Sequence, residues 1–83
     1  MTDNGKLNGT PFYETVSRYL GKPVTTVQSD GEFTDTLSVF TSNSGHEGWQ
    51  VGNFPDGGYV IFAPRLIERV EETLFGLTIV LGW

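Results

Sequence analysis

The chain has 83 residues, no cysteine, and ten Asp and Glu against five Lys and Arg, for a formal net charge of −5. That length bounds it to one small domain, and without cysteine there is no disulfide framework, thiol nucleophile, iron–sulfur cluster or cysteine zinc site. The acidic balance weighs against direct binding of nucleic acid, whose phosphates demand a basic patch.

Residues 1–9 hold two Asn-Gly pairs and little apolar material, which predicts a flexible N-terminal arm ahead of a single domain over 10–83. The first ten residues lack the apolar stretch of a secretory signal. The longest apolar run, 77–81, is far too short to span a bilayer. A soluble, cytoplasmic protein with no membrane partner is expected. Thr10-Pro11 then reads as an N-cap followed by proline at the first helical position. Phe12, Val16, Tyr19 and Leu20 share one helical face, and Gly21 and Pro23 stop the run, so a helix is predicted over 11–20.

From Val24 the pattern turns to strands. VTTVQS and EFTDTLSVFT flank Ser29-Asp30-Gly31, a hairpin signal. A three-residue loop sets Val27 opposite Phe33 and gathers Phe33, Leu37 and Val39 into one apolar stripe, and that register is preferred to a two-residue Asp30-Gly31 loop. Asp35 interrupts the stripe, which suggests an edge strand. After the polar loop TSNSGHEG, WQVGNF and YVIFA flank Pro55-Asp56-Gly57-Gly58 as a second hairpin. Tyr59 to Phe62 is apolar without alternation, the pattern of a central strand.

Ala63-Pro64 opens a second predicted helix with Leu66, Ile67, Val70 and Leu74 as its apolar stripe. Two endings compete. In one, Gly76 stops the helix and LTIVL forms a final strand; in the other, the helix runs on to Leu81. The first is preferred because Thr78-Ile79-Val80 is β-branched, although it leaves Glu71 and Glu72 beside the negative end of the helix dipole. The expected fold is thus an α+β two-layer sandwich: helix, four-stranded antiparallel meander, helix and a fifth C-terminal strand.

Motifs for catalysis are scarce. His46 is the single histidine and lies in the loop GHEG beside Glu47. Neither HExxH, an EF-hand loop, a P-loop nor GxGxxG is present, so no enzyme, catalytic residue, metal site or cofactor is expected. The most unusual stretch is GWQVGNFPDGGY, where Trp49, Gln50, Asn53 and Tyr59 could form a ligand- or peptide-binding surface. Phe54, just before the turn, is the residue there hardest to bury.

The charge has a location. Between Pro23 and Pro64 there is no Lys or Arg, only Asp30, Glu32, Asp35, Glu47 and Asp56. Such a region repels nucleic acid and steers a basic partner. Five scattered carboxylates fall short of duplex DNA, which carries one charge per ~1.7 Å, so DNA mimicry is not expected. The function expected first is a small acidic protein–protein interaction module, an inhibitor or accessory factor of the phage or mobile-element type. It would engage a basic partner surface through those five acids and Phe54; a binder of small ligands or peptides is the alternative. A C-terminal strand without an intramolecular partner would pair between chains and make a homodimer; packing of Trp83 into the core is the competing reading.

Overall fold

The computed structural model describes residues 6–53 and 57–82. In chain order these form α1 (Tyr13–Ser17), β1 (Pro23–Gln28), β2 (Gly31–Thr41), β3 (Glu47–Asn53), β4 (Gly58–Phe62), a 3-10 turn (Pro64–Leu66), β5 (Ile67–Thr73) and β6 (Gly76–Leu81). The strands make one mixed sheet in the order β4-β3-β2-β1-β6-β5. The protein is therefore mostly β, with one short helix, and the predicted helix–meander–helix sandwich does not form.

The second helix is the main correction. Ile67–Thr73 is a strand, antiparallel to β6, and a bulge between Ile67 and Arg69 adds a residue to it. The bulge puts Ile67 and Val70, opposite Leu81 and Ile79, on the same face although they are three residues apart. A three-residue spacing of apolar residues is also what a helix shows, so the local pattern was satisfied by the wrong period. Along β6 the alternation is regular: Leu77, Ile79 and Leu81 are buried and the residues between them are not.

The first helix is shorter than predicted, five residues rather than ten. Phe12 takes a left-handed conformation, φ 66°, which prevents the helix from starting at Pro11. Thr10 does not cap it; its hydroxyl donates to the Leu7 carbonyl instead. Beyond the helix, Gly21 N–H donates to the Leu37 carbonyl and Leu37 N–H to that of Lys22, so the chain joins the sheet before β1 begins.

Strand β2 organises the sheet. Residues 31–36 pair with β1, whereas residues 37–41 pair with β3. Asp35 lies at this handover, on a central strand rather than the expected edge. Its Oδ1 accepts the Thr36 N–H at 2.7 Å, supplying an acceptor where β2 changes partners. The first hairpin has a two-residue Ser29-Asp30 turn that places Gln28 opposite Gly31 and Thr26, not Val27, opposite Phe33. The parallel neighbour decides this register: Val24 and Thr26 are buried and pair with the equally buried Leu77 and Ile79. Strand β4, expected to be central, is an edge.

The core joins Val24, Leu37, Trp49, Val51, Leu77 and Ile79 from the strands to Leu7 and Val16 from the segment before β1. Phe12, Tyr13 and Tyr19 pack against it from that same segment. Leu7, within the predicted arm, is only 3% exposed, and its N–H donates to Glu47 Oε1 at 2.9 Å. Strand β6 is paired on both sides, with β1 and β5, so it offers no free edge for a second chain.

Candidate functional site

The four acids between Pro23 and Pro64 that lie among the described residues have different surroundings. Asp30 is exposed in the β1–β2 turn, and Glu32 is exposed two residues later, opposite Val27. Asp35 is occupied with the Thr36 amide. Glu47 holds the Leu7 N–H and stands 3.9 Å from Lys6 Nζ, so its carboxylate ties the N-terminal segment to β3. Phe54, Asp56 and Trp83 lie outside the described residues.

The aromatic hairpin residues do not converge either. Trp49 is fully buried, its ring stacked 6.1 Å from that of Tyr13. Gln50, the next residue along the strand, points to the opposite face of the sheet and donates to the Gly52 carbonyl and the Asn53 side chain. Asn53 and Tyr59 are exposed. In the loop, His46 Nδ1 lies 2.8 Å from Ser44 Oγ, and Ser42 Oγ accepts the His46 N–H. Among the described residues no group of three or more His, Asp or Glu is placed to hold a metal ion.

What the fold does bring together lies at the Asp30 end of the sheet. A row of neighbouring residues crosses four strands on one face: Glu32 (β2), Val27 (β1), Val80 (β6) and Arg69 (β5). Beside it is a cleft of about 380 Å³ between Val27, Gln28, Ser29, Glu68, Val80 and Leu81. Its floor is aliphatic, and Glu68 stands exposed at its edge. The neighbouring Arg69 pairs with Glu71, its Nε donating to Glu71 Oε2 at 2.9 Å, and it is attracted more weakly by the charge of Glu68. Glu68 was missed as a site residue because a helical reading of 64–75 places it on a plain solvent face.

At the other end of β5, Glu72 receives the Arg18 guanidinium at 3.2 Å and the Tyr19 hydroxyl at 3.0 Å. The hydrogen bond to Glu72 raises the Tyr19 pKa above its ordinary value of 10.0, aided by partial burial and by the Glu72 charge, while Arg18 opposes the shift. Because the folded-state pKa is raised, the contact contributes fully below the ordinary phenol pKa and is lost as pH rises through the folded value. Absorbance titration near the phenolate band should thus show Tyr19 ionising later than an unperturbed tyrosine, and Glu72→Ala should remove the delay. An unchanged titration in that variant would show that the contact does not hold in solution.

Among the described residues no helix is long and apolar enough to cross a membrane. No family model, curated protein or solved structure matches the chain.

Proposed function

We propose that the protein is a small protein-interaction module that receives a basic segment of its partner in the cleft between the β1–β2 turn and the start of β5. The observation that carries this reading is the pairing of an aliphatic floor, Val27 and Val80, with the exposed carboxylate of Glu68 at its edge. Asp30 and Glu32, exposed on the neighbouring hairpin, add to the negative field. A lysine or arginine side chain suits such a place, since its methylene stem covers apolar surface while its head stays with the acids. The acids steer the encounter, and the bound state is correspondingly sensitive to salt. The role fits an inhibitor or accessory factor acting in the cytoplasm.

The test uses short arginine-rich and lysine-rich peptides with an alanine-rich control, followed by amide chemical shifts. Basic peptides should move the signals of Val27, Gln28, Ser29, Val80 and Leu81 and lose affinity as salt is raised. Charge reversal at Glu32 and Glu68 together should weaken binding at least tenfold, the equivalent of about 1.4 kcal/mol. Shifts that fall elsewhere, or that survive the reversal, would remove the cleft from consideration.

A further inference from the structure

The turn between β5 and β6 is made by Leu74 and Phe75, 100% and 98% exposed. Two-residue hairpin turns are places for Asn, Asp and Gly, whose short side chains or positive φ suit the geometry. Here the backbone is shaped by other residues. Thr73 Oγ1 accepts the Phe75 N–H at 3.0 Å and donates to the Gly76 carbonyl at 3.3 Å, while Gly76 takes φ 129°. The two bulky side chains touch nothing, so this fold does not need them. They form an apolar tip on a braced hairpin.

A receptor for such a tip lies at the far side of the sheet. Phe40, Gly48, Ile61, Phe62 and Ala63, together with Ser42, His46 and Glu47, bound an open groove of about 180 Å³ whose surface is mostly apolar. Gly48 helps to keep it open: it sits opposite Phe40, and a Cβ there would stand 3.0 Å from the Phe62 carbonyl oxygen. The volume suits an aromatic ring, since a cavity of about 150 Å³ accepts benzene. A neighbouring depression shares His46, Glu47 and Ala63 with the groove and adds Lys6 and Arg65. Arg65 is exposed and makes no ion pair among the described residues. Glu71 and Glu72, just before the tip, pair with Arg69 and Arg18, and Lys6 beside the groove pairs with Glu47. Size and apolarity thus match across one chain, but tip and groove belong to opposite edge pairs, β5–β6 and β3–β4, and the tip's full exposure shows that it does not fill its own groove.

We infer that the protein self-associates by seating the Leu74-Phe75 tip of one copy in the Phe40–Ile61–Ala63 groove of another. Each copy then gives one tip and receives one. The contact joins two different surfaces, so it closes into a ring or runs on as a filament according to the angle between successive copies, unless two copies exchange tips as a dimer.

Sedimentation velocity across about two decades of concentration tests this. The wild type should exceed the 9.2 kDa monomer as concentration rises. The tip variant Leu74→Ser/Phe75→Ser should remain monomeric, with the circular dichroism and melting curve of the wild type. The groove variant Ile61→Glu should also be monomeric, and Ile61→Thr, milder on an edge strand, should weaken association in the same direction. Mixing the tip and groove variants restores one intact contact and should yield a one-to-one complex that grows no further. The inference is overturned by a wild type that stays monomeric, a tip variant that associates as the wild type does, or a mixture that stays apart. Monomeric wild type whose tip partitions into phosphatidylcholine vesicles would overturn it in favour of a lipid surface. None of these variants alters Glu32 or Glu68, so this result and that of the basic-peptide experiment can fail separately.

Discussion

Replacing Gly52 by alanine should destabilise the protein by about 3 kcal/mol or more, a large share of the 5–15 kcal/mol typical of whole domains. Two costs act together. Gly52 has φ 90°, a conformation that side-chain-bearing residues rarely adopt. A Cβ there would also stand 2.6 Å from the Gly58 carbonyl oxygen and 2.9 Å from Cε2 of Phe33. The first of these atoms is backbone in the adjoining strand and cannot rotate away. The second is a ring packed against the core. Relief requires β4 to separate from β3, so amides of Tyr59–Phe62 should lose protection against hydrogen exchange with the fall in stability. Gly31→Ala is the control, since Gly31 has φ 151° but open space around it, and its cost should be limited to about 1 kcal/mol of backbone strain. Equal urea midpoints for the two variants would show that close approach at Gly52 contributes nothing.

Gly52 also illustrates why much of this fold is hard to read from the chain. The glycine reads locally as one of several near a turn, and only the nearness of Phe33, nineteen positions away in sequence, gives it a steric purpose. The same holds on a larger scale. The strands from Val24 to Phe62 announce themselves through short apolar or alternating runs set between turn residues, because those signals are local. Their order relative to β5 and β6 is not local: the parallel contact of β1 with β6 settles which face of Val24 and Thr26 turns inward. The bulge beside Ile67 then converts a strand period into a helical one, and the predicted second helix followed from it.

The candidate site divides along the same line. Exposure of Asp30 and Glu32 was legible, since turn position and strand alternation both point outward. Glu47 was not, because its partner is the amide of Leu7, forty residues earlier. Glu68 became a site residue only once β5 replaced the helix and brought it beside Val80 and Ser29. The exposed Leu74 and buried Leu77 show the cost of the period error most directly. A helix stripe counts Leu74 as core, whereas in the hairpin it is the turn.

Trp49→Ala should cost about 3–5 kcal/mol, the usual range for removing a large aromatic side chain from a core. The indole is fully buried, pairs with Val39 and Phe62 across the neighbouring strands, and stacks on Tyr13 at an interplanar angle of 30°. Its Nε1 is buried without a hydrogen-bond partner among the described residues. An unsatisfied buried donor costs about 1–3 kcal/mol, so Trp49→Phe removes a penalty together with part of the ring. It should therefore lose well under half of what alanine loses, while keeping the stack on Tyr13. Urea denaturation of the two variants gives the comparison. A surface role in ligand capture predicts the reverse, with stability unchanged by alanine and binding abolished. Emission in a Trp83→Phe background separates these cases further: Trp49 should fluoresce at short wavelength and resist iodide quenching in the folded state. Ready quenching would mean that the ring faces solvent and that β3 presents it outward.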